Sequence, residues 1–152
     1  MARLPSADAR LGADVYQRMG CVACHDVAGE RKLFGPALKD IGKAATAQYI
    51  AESILLPGRV IKDGFESEHV RLRDGGTVTG LVERHDDMMH ILQGTLKIEV
   101  PASDVVERIK SDMSPMPEFM LMGTSLDELA DLLAYLVSQG GDPKAAQAAA
   151  GG

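Results

Sequence analysis

The 152-residue chain contains no tryptophan, and only three phenylalanines and three tyrosines. Aromatic residues make up 4% of it, against 45% hydrophobic residues in all. One domain, with room for an insertion, can be built from that, but flat apolar surface is scarce. There are only two cysteines. Both fall in one short motif, so neither is left for a structural disulfide elsewhere. No run of lysine and arginine marks a membrane surface, and the net charge of −6 argues against a nucleic-acid partner. No apolar run approaches the length of a transmembrane helix. Residues 1–20 lack the continuous apolar core of a signal peptide, which reads as a mature or trimmed chain with Met1 added.

What the chain does have is Cys21-Val22-Ala23-Cys24-His25. Two thiols at this spacing, followed at once by a histidine, are the pattern of c-type haem attachment. Each thiol adds across one vinyl group of the porphyrin, and the next residue places its imidazole under the iron. One covalent haem c would also supply the flat apolar surface that the composition lacks. Two other readings use the same residues. A zinc site would take both thiolates and two further ligands, and His69, His85 and His90 show no finger-like spacing to provide them. A redox dithiol would need a strand before the cysteines, whereas the preceding stretch reads as helix.

That first helix is expected over residues 6–19. Ser6 caps it, and Leu11, Val15 and Met19 share a face. Gly20 ends it and turns the chain into Cys21. A polar loop runs to Lys32 and on to Phe34-Gly35-Pro36-Ala37-Leu38. Pro36 is a turn former, and its carbonyl is also placed to accept a hydrogen bond from His25 Nδ1, fixing the tautomer. Thr46 caps a second helix over about 47–56, with Ala47, Ile50 and Ile54 on its apolar face. Ser125 and Glu128 make a capping box for the last helix. There Leu126, Leu129, Leu132, Leu133 and Leu136 keep the 3.6-residue rhythm up to Gly140. Residues 141–152, rich in alanine and glycine, read as a disordered tail.

Between Pro57 and about Lys110 the period changes from 3.6 to 2. Val70–Arg73, Thr77–Val82, His90–Leu92 and Thr95–Val100 alternate, with turns at Asp74-Gly75-Gly76 and Gln93-Gly94. About four antiparallel strands are expected, with Val78 and Leu96 facing their core, and Pro101–Ile109 as a short strand or turn with Asp104 capping. The domain reading is therefore 1–59 with 111–140 as a haem domain, and 60–110 as a small β subdomain. Its exposed strand edge is a route to a homo-oligomer. From Asp63 to Glu99 there are eight acidic and four basic residues, a solvated face or a dock for a cationic partner. His85 and His90 are five apart, so on one continuous strand they would face opposite sides.

The motifs together resemble class I cytochrome c. They are Gly12-Ala13-Asp14-Val15-Tyr16, Cys21–His25, Gly35-Pro36-x-Leu38, Met116-Pro117 and Asp131–Leu136, in family order between residues 6 and 138. The resemblance implies a mainly α fold of three principal helices around one covalent haem, with a small β insertion here. It implies a one-electron carrier between redox partner proteins, and contact of Gly12 and Tyr16 with Leu132 and Tyr135. Haem attachment in this class takes place outside the cytoplasm, in the periplasm of bacteria. With the insertion, the chain is similar to a haem-binding domain recurrent in planctomycete and verrucomicrobial proteins. Ser53-Ile54-Leu55-Leu56-Pro57, the Asp74-Gly75 turn with Gly80, and Ser114-Pro115-Met116-Pro117 carry that likeness.

The axial ligands implied are His25 and Met116. Pro115 and Pro117 flank Met116 and stiffen its backbone; Met113, with only Asp112 and Ser114 beside it, is the next candidate, and Met120 and Met122 read as wall around the ring. Arg59, with Lys62, follows the second helix as a candidate partner of the haem propionates, or as plain surface charge. No general base, nucleophile or phosphate loop accompanies the haem motif, so a carrier rather than an enzyme is expected. The alternatives are a haem module of a larger dehydrogenase or reductase, and a gas- or peroxide-binding haem protein if the distal ligand is labile.

Overall fold

The structure, a computed structural model, describes residues 6–31, 33–94, 96–118 and 120–141. It divides into two compact units. One comprises the chain up to Leu56 and again from Glu118; the other is Pro57–Pro117. The disordered tail expected over 141–152 lies outside the described residues from 142 onward.

The first unit is helical: α1 Ala9–Arg18, α2 Ile41–Ala44, α3 Ala47–Leu55 and α4 Leu126–Ser138. Helix α1 starts later than expected, and Asp8 caps it instead of Ser6, its carboxylate accepting from Arg10 N at 2.8 Å. The buried face is also rotated from the one expected. Gly12, Val15 and Tyr16 are buried while Leu11 is exposed. The cause is the crossing with α4. A Cβ on Gly12 would lie 1.9 Å from the Asp131 carbonyl oxygen and 2.7 Å from Tyr135 Cβ, so only glycine lets the backbones meet. Tyr16 then packs on Tyr135 with ring centroids 5.5 Å apart, and Leu132 is fully buried. This is the contact that Gly12, Tyr16, Leu132 and Tyr135 imply by resemblance. Asp8 N donates to Asp131 Oδ1 at 2.7 Å, and Arg18 pairs with Glu128.

Helix α4 carries the expected capping box, Ser125 Oγ accepting from Glu128 N and Glu128 from Ser125 N. Its first leucine, Leu126, is nevertheless exposed; Leu132, Ala134, Leu136 and Val137 are buried. Thr46 caps α3, whose Ile50 and Ile54 are buried. The short α2 has no counterpart in the sequence reading. Gly42 holds it to α4, since a Cβ there would lie 1.8 Å from the Val137 carbonyl oxygen and Gly42 N donates to Gln139 O.

The second unit is an antiparallel sheet of five strands, not about four: β1 Glu68–Leu72, β2 Thr77–His85, β3 Met88–Gln93, β4 Leu96–Pro101 and β5 Val105–Lys110. Their order is β4-β3-β2-β1-β5. Strand residues nearly match helical ones in number, so "mainly α" describes the first unit rather than the whole chain. The fifth strand lies in the stretch left open between strand and turn. Asp104 ends a 3₁₀ turn over Ala102–Asp104 rather than capping, and its carbonyl accepts from Arg73 N. Leu96 does not face a core; it is 56% exposed on edge strand β4, while Val78 is half-buried. Val70, Met89 and Ile91 are the deeply buried residues of the sheet. No helix among the described residues is long and apolar enough to cross a membrane.

The α1–α4 crossing leaves no room for a methyl group. Gly12→Ala is expected to lower unfolding free energy by about 2–3 kcal/mol through backbone displacement, measured by urea denaturation. An unchanged midpoint would mean that the crossing relaxes freely.

Candidate functional site

Helix α1 delivers the chain to the cysteine motif. Gly20 adopts φ 79°, the left-handed turn that glycine makes without strain, and a 3₁₀ turn follows at Cys21–Ala23. His25 N donates to the Cys21 carbonyl at 2.9 Å, so thiols and imidazole sit on one tight turn. Both cysteines are free and neither is fully exposed. Burial pushes the Cys21 thiol up, its neighbour Cys24 adding to the shift, and burial does the same to Cys24. Both thiols are therefore held protonated near neutrality.

His25 is held by three contacts, two to its ring and one to its backbone. His25 Nδ1 lies 2.8 Å from the Pro36 carbonyl. A carbonyl only accepts, so Nδ1 carries the proton and Nε2 keeps its lone pair. Gly35 presses its backbone against the ring: a Cβ there would lie 2.7 Å from His25 Cε1 and 2.8 Å from Nδ1. Tyr16 donates its hydroxyl to the His25 carbonyl at 2.5 Å. Burial pushes that phenol up to about 12, so it stays a donor. Burial holds the imidazole below its ordinary value, with the Pro36 carbonyl pulling the other way. It is neutral, the state in which an imidazole binds metal.

The loop from 26 to 38 is closed at its neck by Gly35 N to Cys24 O, 2.7 Å, and Leu38 N to Asp26 O, 2.9 Å. Asp26 organises its interior. Its buried carboxylate accepts from the backbone N–H groups of Arg31, Glu30 and Ala28. Those bonds, that to Arg31 first, hold it below the usual carboxylate range. Neither the Asp26 nor the Tyr16–His25 contact was anticipated. An aspartate opening a polar loop three residues before Gly29 was the available signal for the first.

Cys21, Cys24, His25 and Pro36 are thus brought together within the first unit. Met116 and Arg59 belong to the second. Met116 sits in a segment tied to the sheet by Ser111 N donating to Ser67 O at 2.8 Å. Two serine turns follow, Ser111 Oγ accepting from Met113 N and Ser114 Oγ from Met116 N. Met116 is half-buried, whereas Met113 is 63% and Met122 75% exposed. Arg59 lies exposed in the stretch before β1.

The histidines of the sheet correct another expectation. Asp86, at φ 52°, turns the chain so that His85 and His90 stand on adjacent strands. Their rings stack with centroids 4.3 Å apart. Aspartate is among the few residues that tolerate this conformation, but Asp86-Asp87 lacks the glycine that advertises such a turn. His69 Nδ1 bonds Thr79 Oγ1 across β1 and β2 at 2.7 Å. Among the described residues no group of three or more His, Cys, Asp or Glu is arranged to hold a metal ion, so a zinc site at the cysteines finds no further ligands there.

A family model described as Cytochrome c matches residues 9–80. The match supports a c-type cytochrome. It takes in α1, the cysteine motif, the Gly35-Pro36 segment and α3, and runs through β1 into β2. It stops short of Met116 and α4. No curated protein matches the chain. The cytochrome c match implies haem c and with it haem-based electron transfer, and the residues present fit that group. Two unpaired thiols share one turn, and a neutral imidazole keeps Nε2 available because Pro36 occupies Nδ1. Gly35 lets the backbone lie against that ring where any side chain would clash with it.

Gly35→Ala is expected to push the ring off the Pro36 carbonyl, lowering stability by about 2 kcal/mol in urea unfolding. The NMR signal of the His25 Nδ1 proton should move with it. A variant with unchanged stability and an unchanged Nδ1 signal would refute that role for Gly35.

Proposed function

We propose that this chain is a monohaem c-type cytochrome that carries single electrons between redox partner proteins outside the cytoplasm, in the bacterial periplasm. The observation that carries the reading is the His25 arrangement: a neutral imidazole, oriented through Nδ1 by Pro36, on the same turn as two free thiols. When bound, haem c supplies an iron that accepts and returns one electron.

Cys21 and Cys24 would hold the ring covalently, each S–H adding across a vinyl group to leave a thioether. His25 would offer Nε2 to the iron. The Pro36 carbonyl, by accepting from Nδ1, makes the imidazole a stronger donor and keeps its orientation. Met116 would supply the sixth ligand. Its serine turn and its two flanking prolines restrict the backbone, which lowers the entropy lost when a long thioether is held in place. Methionine opposite histidine raises the reduction potential relative to two histidines. Arg59 would balance propionate charge. The chain would act as a carrier rather than an enzyme, since no general base, nucleophile or phosphate loop accompanies the haem motif.

Two experiments test this. Wild-type protein should keep its haem through acid–organic extraction after denaturation, since thioethers survive where axial bonds do not. The double variant Cys21→Ala, Cys24→Ala should lose it. A double variant that matures with covalent haem would contradict the attachment. For the distal side, Met116→Ala should abolish the iron–sulfur absorption band and let the reduced protein bind carbon monoxide, while Met113→Ala leaves the band intact. A band that persists in Met116→Ala places the ligand elsewhere. Rapid carbon monoxide binding by the wild type would favour a gas-binding protein.

A further inference from the structure

Strand β4, Leu96–Pro101, is an edge of the sheet, and its sequence has a property that the other edge lacks. Ala102 N donates to Asp87 O at 2.8 Å, and the register pairs Met89 with Val100, Ile91 with Ile98 and Gln93 with Leu96. Antiparallel ladders bond at every second pair, so the hydrogen-bonded pairs of β4 involve residues 96, 98 and 100. The N–H and C=O groups of Lys97 and Glu99 therefore point away from the sheet. Pro101 has no N–H and ends the run.

We propose that β4 is a homodimerisation edge, pairing antiparallel with β4 of a second copy about a two-fold axis through Ile98. The chemistry selects that register. Outward-bonding residues must lie opposite one another, so Lys97 and Glu99 must meet an odd-numbered residue of the second copy. Centring the axis on Lys97 would set lysine against lysine, and centring it on Glu99 would set glutamate against glutamate. Centring it on Ile98 sets Lys97 against Glu99 twice, Ile98 against Ile98 and Leu96 against Val100. Charge meets opposite charge on one face, and apolar meets apolar on the other.

The exposure agrees. Leu96, unexplained as a lone surface residue, acquires an apolar neighbour in Val100 of the second copy. Lys97 Nζ at 2.6 Å and His90 Nε2 at 3.2 Å both contact Glu99 Oε1, leaving Oε2 for Lys97 of the second copy. A lysine on an edge strand ordinarily discourages pairing. Here it discourages the two neighbouring registers, centred on Lys97 and on Glu99, and favours the one between them. The opposite edge, β5, has no such solution: an axis on Glu107 or Arg108 opposes like charges, and one on Ile109 sets Arg108 against Lys110. This proposal does not depend on the electron-transfer reading.

The test is sedimentation equilibrium of the full chain from micromolar to millimolar concentration. Wild type should show a monomer–dimer equilibrium. Lys97→Glu and Glu99→Lys each turn two attractive pairs into repulsive ones, and each alone should weaken self-association about tenfold. Mixed one to one, the two variants oppose glutamates to lysines throughout and should associate as the wild type does. A wild type that stays monomeric would overturn the proposal. So would single variants that dimerise normally, or a mixture no better than its parts.

Discussion

Everything around His25 depends on how closely α1 approaches α4. Glycine at position 12 lets the first helix rest on the backbone of Asp131, and that approach decides which way Tyr16 points. Tyr16 is buried against Tyr135 and donates its hydroxyl to the His25 carbonyl. One short helix thus ties the crossing to the Cys21–His25 turn: the crossing sets the tyrosine, and the tyrosine sets the backbone from which the imidazole projects. A side chain at position 12 would disturb the turn from a distance, without touching a thiol or the ring.

The other half of the imidazole's setting is local and electrostatic. The loop from Asp26 to Leu38 brings Gly35 and Pro36 back over the ring, and its shape comes from a single buried carboxylate gathering three backbone N–H groups. Burial would by itself make that charge costly, and the N–H groups offset the cost. The loop is held from inside by Asp26 and at its neck by two backbone bonds, so the Pro36 carbonyl is positioned before any ligand arrives.

The sheet answers to different constraints. Its alternation was legible in the sequence, and so were the Asp74-Gly75-Gly76 and Gln93-Gly94 turns, since Gly75 and Gly94 both take positive φ. The turn at Asp86 was not, because aspartate reaches that conformation without the glycine signal. Without it the sequence could not show that His85 and His90 stand on adjacent strands, and their stacking stayed hidden. Likewise, period alone could not say whether Leu96 lay on a central or an edge strand, and strand order decided that.

The sequence by itself determined the Cys21-Val22-Ala23-Cys24-His25 spacing, the carbonyl partner at Pro36, the capping box of α4 and the β texture of the insertion. These are local properties, written in spacing and in residue type. Tertiary structure alone decided the rest: that Asp8 rather than Ser6 caps α1, that Leu11 and Leu126 are left exposed, and that a fifth strand closes one edge of the sheet. The physical reason is the same in each case. A cap, a buried face or a strand edge is chosen by what packs against it, and that partner lies far away in the chain: Asp131 for the start of α1, and β1 for β5.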